Sequence, residues 1–450
     1  MRELRKLAVL VVQSGSGEMK STVDQLAQRL GVELGAAAVI TEQSVLASHI
    51  VDGMQPALVC FPSTAEQIAA ALRVAAEAEA AVIPWGGGTA MQIGNRPRSL
   101  DVVMEMGRLD RVIEHDGANL TATVQSGMTL MALQEVLARQ KQILPFDPPF
   151  PARATIGGIV AANLNGPRRS CYGSVRDLVI GMKVALASGE VIKAGGKVVK
   201  NVAGYDMCKL FVGSLGTLGI LTEVTLRMAP IPETAATVVA AGTLPKVLQF
   251  VDELSRSPLL PAAVALMNSG ALGAGQNDWR AAIRCEGFAE TVTRHLADSQ
   301  ALVQQVGLGD EILRDHTDGQ LWDRVRDFPL QKGRVVYRVT VPRASLAECA
   351  QAIEDWNTPE FQPAVVSDAL TGTLWAAEPE RQTSPQRFAD LLSLAQRCGG
   401  HAIIFAAPAD AKKNIDVWGP APPTLVLMRK IKNQFDPKGL LNPGRFIAGI

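Results

Sequence analysis

The chain has 450 residues, 47% of them hydrophobic and 20% charged, and its 44 basic and 44 acidic side chains cancel. That length calls for two or more domains, and the balanced charge argues against a chain-wide electrostatic footprint for nucleic acid. No run approaches 18 uninterrupted apolar residues, so no membrane-spanning helix is expected.

The opening "MRELRKLAVLVVQSGSG" sets basic residues before a short apolar run but lacks a small-residue cleavage site, so a secretory leader is not expected. Residues 1–50 read as an Ala-rich helical extension, clearest in "STVDQLAQRLGVELG". An apolar strand at 58–61 precedes the helix "PSTAEQIAAALRVAAEAEA", where Ser63 and Glu66 have capping-box spacing. "AAVIP" is the next strand, and strand, helix, strand then a glycine loop makes an α/β unit. From 101 to 123, "LDVVMEM", "RVIEHD" and "LTATVQSG" are short strands. Thr129 caps the helix "LMALQEVLARQKQ". Strands return in "LVIGMKVAL", "EVIKAG" and "GILTEVTLRM" before Pro230 and Pro232. Residues 233–400 lack the earlier glycine clusters and mix helices ("LPKVLQFVDELSR", "TVTRHLADSQALVQQVG") with strands ("RVVYRVTVPR"), as a second α+β domain would. The tail "LMRKIKNQFDPKGLLNPGRF" is a helix followed by Pro/Gly turns.

The six cysteines are scattered, with no C-x-x-C pair, which argues against an iron–sulfur cluster or structural zinc in this chain and for reduced thiols in a cytoplasmic protein.

The chemistry-bearing signal is glycine. In "AVIPWGGGTAMQIGN", Gly86–Gly88 fit neither G-x-G-x-x-G nor a P-loop. Consecutive glycines permit positive φ and close backbone approach, so several N–H groups can converge on an anion, and Thr89 adds a hydroxyl. A tight turn explains the same residues. Four further clusters follow: "VQSGMTL" with Gly127; "ATIGGIVAANLNGPRRSCYGSVRD" with Thr155, Gly157, Gly158, Gly166 and Gly173; "KNVAGYDMCKLFVGSLGTLGILTEV" with Gly204, Gly213, Gly216 and Gly219; and "FDPKGLLNPGRF". So many close-approach positions suggest one long ligand lying against backbone, and FAD, with its central pyrophosphate, is the candidate.

The order and wording of these clusters resembles the vanillyl-alcohol-oxidase (PCMH-type) FAD-binding family, from about residue 56 to 232 and again in the tail. The similarity is closest to its glycolate oxidase (glycolate dehydrogenase) FAD-binding E subunits, through "GPRRSCYGSVRD", "KNVAGYD", "GSLGTLGILTE" and "GGHA". The resemblance implies an α+β fold: a two-subdomain FAD-binding domain over 51–232, an α+β cap over 233–400, and a segment 401–450 packing back on the FAD domain. It implies that Pro84 and Trp85 lead into a pyrophosphate loop of Gly86, Gly87, Gly88, Thr89 and Ala90, with Gly127 beside it. Thr155, Gly157 and Gly158 would follow the phosphates and ribityl chain, Gly166, Tyr172 and Gly173 would lie close to the cofactor, and Gly219, Ile220 and Leu221 would pack on the adenosine half.

The chain departs from the family pattern in places. Some members tether the flavin through a loop histidine; here "GGGTAMQ" offers neither His nor Cys, so non-covalent FAD is expected, with Cys171 the remote alternative tether. Related 2-hydroxy-acid dehydrogenases carry paired histidines near "GDGNLH", and the five histidines here form no such pair. They also read Gly-Ser-Glu-Gly where this chain has Leu215. Oxidising a 2-hydroxy acid takes a base for the hydroxyl proton and a cation for the carboxylate. His401 is the candidate base. Arg168 and Arg169 are candidate cations, equally able to face a partner subunit or the phosphates, as is Lys200. No metal ligand set is expected. Three functions fit: the FAD subunit of a complex that oxidises glycolate to glyoxylate beside a catalytic FAD subunit and an iron–sulfur subunit, cytoplasmic and at most peripheral to the inner face of the membrane; a stand-alone D-2-hydroxy-acid (D-lactate) dehydrogenase; or a non-catalytic FAD-holding assembly subunit.

Overall fold

In a computed structural model, residues 22–196, 205–273, 278–331, 333–358, 360–382 and 384–450 are described. Lys200 and Gly204 lie outside them.

Two larger sheets, beside a two-stranded one at Gln142–Ile143 and Ala229–Pro230, build the first half of the chain. A four-stranded sheet runs Val39–Ile40, Leu58–Cys60, Val102–Glu105, Val82–Trp85, with the last three strands parallel. The strand at 39–40 therefore breaks the expected all-helical extension over 1–50: Val39 and Ile40 pair with Cys60 and Val59, because two β-branched residues complete the sheet edge. The helix Ala65–Glu77 covers this sheet through Ile68, Leu72 and Ala75. Its cap is Thr64, whose Oγ1 accepts from Gln67 N at 3.2 Å, one residue later than the Ser63 reading; Ser63 instead donates to Gln67 Oε1. An antiparallel five-stranded sheet follows in the order Val112–Asp116, Thr121–Gln125, Ile220–Arg227, Val179–Ala185, Val191–Gly195. The helix Leu130–Ala138 is capped by Thr129 as expected.

An antiparallel eight-stranded sheet dominates the second half. Its order is Gly309–Arg314, Thr234–Gly242, Trp279–Gly287, Ala263–Asn268, Ala364–Asp368, Thr373–Pro379, Arg334–Thr340, His401–Ala406. The edge strand His401–Ala406 pairs with Arg334–Thr340, so hydrogen bonding puts it with this sheet and not with a tail beginning at 401. Side chains alternate between two buried faces. Tyr337, Val339, Val365 and Ile404 pack under the helices Leu244–Arg256, Ala289–Val306, Leu346–Glu354 and Pro385–Arg397. Val336, Val366, Ala377, Ile403 and Phe405 share a core with the five-stranded sheet and its helices. That second face meets the first half of the chain.

The C-terminal helix and the turns after it bond to residues of the first half of the chain. Lys432, in the helix Leu425–Phe435, buries its Nζ against Thr217 O (2.7 Å), Asp436 Oδ2 (2.6 Å) and Leu441 O (3.0 Å). Val82 N donates to Leu440 O and Asn442 N to Val82 O, both at 2.9 Å, stitching the tail to the edge of the four-stranded sheet. Among the described residues no helix is long and apolar enough to cross a membrane.

Candidate functional site

The strand Val82–Trp85 ends in the glycine loop. A Cβ on Gly87 would fall 1.7 Å from Arg153 O, and Gly88 has φ +66°, so side chains are excluded there by contact and by conformation. Among the described residues no hydrogen bond is donated by the N–H groups of Gly87, Gly88, Thr89 or Ala90. These open donors border a cavity of about 790 Å³.

Most of the expected cofactor residues converge on that cavity: Pro84 through Ala90, Thr155, Gly157, Gly158, and Gly219 through Leu221. Segments up to 137 positions apart in sequence meet because the loop, the start of the helix Ile156–Ala162 and the strand Ile220–Arg227 face one another. Four expected residues do not line it. Gly127 is a packing glycine, its absent Cβ 1.9 Å from Met106 O. Gly166 is another, 2.1 Å from Asp147 Cβ. Tyr172 points to the eight-stranded sheet, its hydroxyl donating to Glu286 Oε2 at 3.0 Å. Gly173 turns the chain at φ +94° into the capping box of Ser174 and Asp177. Cys171 is exposed and outside the cavity, so it is no tether.

The cavity also takes residues that were not assigned from sequence: Ser126, Asn442 and Arg445. Ser126 adjoins the noted Gly127, and the other two sit in the noted tail motif "LNPGRF". Ser126 Oγ, Asn442 Oδ1, and Arg445 Nε and Nη1 are buried without hydrogen-bond partners. Arg445 Nη2 is held by the carbonyls of Met91 and Ile93, while Asp52 lies 3.6 Å from Nη1. Burial pulls the Arg445 pKa down and Asp52 pushes it back. Native interiors rarely leave such groups unpaired. Unpaired donors and a buried cation around an elongated cleft fit a diphosphate-bearing cofactor.

A second cavity, about 670 Å³, lies where the face of the eight-stranded sheet meets the first half of the chain. The two share a wall: Ala161 and Ala162 line one, Asn163, Leu164 and Asn165 the other. Arg169 and Arg338 both face it, between Trp375 and Phe405. Arg338 lies 5.1 Å over the Phe405 ring. Burial, and then the nearby Arg169 charge, lower its pKa to about 10. Among the described residues neither arginine has a carboxylate within 4 Å. Arg338 was not singled out from sequence, although an Arg in the middle of the apolar run of "RVVYRVTV" marked a charge on a buried face.

The other candidates for catalysis are placed elsewhere. Arg168 chelates Asp147 (Nε–Oδ2 2.8 Å, Nη2–Oδ1 2.6 Å) and lies 3.7 Å from Glu286. Burial opposes its charge, but Asp147 and then Glu286 raise its pKa. It is an interface ion pair, committed and unavailable to a ligand. His401 is exposed at the first position of its strand, with Nε2 2.9 Å from Trp418 O, and lines neither cavity.

Residues 56–195 match the family model described as the FAD binding domain, and residues 420–446 that of the FAD linked oxidases, C-terminal domain. The glycolate oxidase subunit GlcE of Escherichia coli (strain K12) is 30% identical over 363 residues, 78% of this chain and 88% of that protein. The chain belongs to the PCMH-type FAD-linked oxidase family. It is an oxidoreductase, and FAD is its cofactor. The glycolate oxidase subunit GlcD of Bacillus subtilis (strain 168) is 28% identical over 87% of this chain and 89% of its own length. D-lactate dehydrogenase of Archaeoglobus fulgidus is also 28% identical, over 87% and 92%. Among solved structures, p-cresol methylhydroxylase superposes with a TM-score of 0.75 at 16% identity, covering 94% of this chain and 96% of its own. This shared fold agrees with the α+β architecture expected from the resemblance. Both matched segments of the chain contribute to the first cavity, and Asn442 and Arg445 are the contribution of the second.

Proposed function

We propose that the protein oxidises a 2-hydroxy acid, with FAD held in the first cavity and the acid's carboxylate held in the second. The observation that carries this is the pair Arg169 and Arg338: two guanidinium groups facing one aromatic-walled space, neither paired with a carboxylate, against the wall that ends the cofactor cleft. Arg binds carboxylates bidentately, and two guanidinium groups with the single carboxyl of Asp368 near Arg169 leave the space net positive, suited to a carboxylate. The loop Gly86–Ala90 and Arg445 would hold the diphosphate. The wall shared at 161–165 would bring substrate and cofactor together, and Trp375 and Phe405 would exclude water. Bound there, FAD supplies a two-electron hydride acceptor. Among the described residues no His or Cys lines the first cavity, which supports non-covalent binding.

In its finer form the proposal is a glycolate oxidase-type FAD subunit converting glycolate to glyoxylate. It would act in the cytoplasm beside a second FAD subunit and an iron–sulfur subunit, at most peripheral to the inner face of the membrane. The likeness to both GlcD and GlcE supports a complex of this kind. The arginine pair favours a substrate-binding chain over one that keeps FAD for assembly alone. The scheme of an FAD domain over 51–232 and a cap over 233–400 is part of this proposal, with the strand at 401–406 moved to the cap sheet.

The test is the visible flavin spectrum of the purified protein, alone and with its partners, on mixing with glycolate or D-lactate. Bleaching is expected, and Arg338→Met should abolish it while leaving the flavin bound. Flavin that no 2-hydroxy acid bleaches, with or without partners, would overturn the reading.

A further inference from the structure

Among the described residues, the arginine cavity is lined by no His, Asp or Glu. A hydroxy acid bound there still has to lose its hydroxyl proton, and the lining offers Asn, Thr and Arg side chains and the unpartnered Trp375 Nε1, an N–H that can donate but not accept. Thr373 is one of them. It is 3% exposed at the head of the strand Thr373–Pro379. Thr371 Oγ1 donates to Thr373 Oγ1 at 3.3 Å. Thr371 N donates to Asp368 Oδ1 at 3.3 Å, and Thr371 Oγ1 also donates to the Asp368 main-chain O at 3.5 Å, beside that carboxyl. Asp368 is the register partner of Thr373 across the tight turn at Gly372, on the same face of the sheet as Trp375 and Arg338. It is 4% exposed, and its Oδ2 is buried with no hydrogen-bond partner.

An orphaned buried carboxylate oxygen costs stability and needs an explanation. Burial raises the Asp368 pKa, while Thr371 and then Arg169 hold it down. Arg169 is the charged group that faces it, from the helix Arg169–Tyr172; the sheet presents Ala265 on one side and Thr373 on the other. A carboxylate so placed is a better proton acceptor than one in water.

We propose that Thr373, Thr371 and Asp368 form the proton exit of the active site. The inference rests on the hydroxy-acid reading above. The substrate hydroxyl gives its proton to Thr373 Oγ1, Thr373 passes its own to Thr371 Oγ1, and Thr371 passes one to the Asp368 carboxylate. A hydroxyl is donor and acceptor at once and turns freely to serve both. One proton moves in total. The carbinol C–H bond gives up its hydrogen with the electron pair as hydride to the flavin, and the C–O bond becomes C=O. Thr373 touches the substrate; Asp368 acts through the two threonines and stores the proton.

The holoprotein is tested with one non-oxidisable pair, 2-hydroxyisobutyrate and isobutyrate, which differ by the hydroxyl alone and lack a carbinol hydrogen, and with glycolate and D-lactate as reductants. Calorimetry should show the wild type preferring the hydroxy acid by about tenfold, the worth of one hydrogen bond. Thr373→Val should erase that preference and Thr373→Ser should keep it. Flavin reduction should slow about 100-fold or more in Thr373→Val and Asp368→Asn, a general-base loss, and stay within a few-fold of wild type in Thr373→Ser. The wild-type rate should fall at acid pH as Asp368 is protonated, and this limb should be absent in Asp368→Asn. Wild-type rates in Thr373→Val overturn the relay while leaving the hydroxy-acid reading intact. So does a loss confined to Thr340→Val, which would move the exit to the hydroxyl paired across the sheet from Thr373. A wild type that binds neither acid overturns both.

Discussion

At the scale of single residues the site is defined by groups without partners. Arg445, Ser126 and Asn442 carry atoms without hydrogen-bond partners into the first cavity, and Arg169 and Arg338 face the second with no carboxylate within 4 Å among the described residues. Arg445→Met should therefore purify with less than a tenth of the wild-type flavin, measured as the ratio of visible to ultraviolet absorbance, since a hydrogen bond from a charged group contributes about 1.5–3 kcal/mol. Gly87→Val should lose the flavin outright, because its side chain would meet the Arg153 carbonyl. Asp368 gives a pH signature. Its folded pKa is raised above the unfolded one, so the folded state binds a proton more readily and ionisation destabilises it. That penalty is absent below the ordinary carboxyl pKa, grows as pH rises toward the folded pKa, and is complete above it. Asp368→Asn should raise the melting temperature at pH 7, and the gain should vanish toward pH 4. A scan of melting temperature against pH would check this.

At the scale of elements, local signals were legible and partners were not. Thr129, the helix 65–77 and the strands of "GILTEVTLRM" announced themselves through caps and alternation. The cap at Thr64 slipped by one because Ser63, Thr64, Glu66 and Gln67 offer two overlapping boxes, and only the Gln67 side chain, turned back to Ser63, decides between them. The glycine loop was readable because glycine is required wherever backbone meets backbone or ligand. Yet Gly127 and Gly166 give the same signal for packing, and sequence does not separate the two. Arg168 and Arg169 are neighbours with opposite fates: one turns to Asp147, the other into the cavity, and that choice depends on a strand more than 100 positions away. The tail helix carries its own prediction. Lys432 bonds two carbonyls and one carboxylate in a buried position, so Lys432→Met should strand Asp436 and destabilise by about 3–5 kcal/mol. Thermal unfolding would show it, and the flavin content should fall with it as Asn442 and Arg445 lose their seat.

At the scale of the whole molecule, the first cavity, where the cofactor is proposed to bind, is assembled from the loop after one sheet, a helix start, a strand of a second sheet and the tail. A ligand that binds this folded arrangement stabilises it by mass action, about 2.7 kcal/mol at a hundredfold excess over its dissociation constant. Adding FAD to flavin-stripped protein should raise the melting temperature in proportion to the logarithm of its concentration. Hydrogen exchange should slow in residues 86–90 and 442–445 together, though they are far apart in sequence. Protection of the loop without the tail would show that the tail does not close on the cofactor.

The stitch between Val82 and Leu441 bears on how the protein is made. Arg445 and Met91, which meet at the cofactor cleft, stand 354 residues apart. A ribosome adding 5–20 residues per second needs roughly 20–70 s to travel that distance. During that interval the glycine loop has been synthesised and its tail-borne arginine has not. On the proposed role of Arg445, capture of the diphosphate would wait until that residue has been made, and a nascent chain interrupted before residue 440 would present the loop without its arginine.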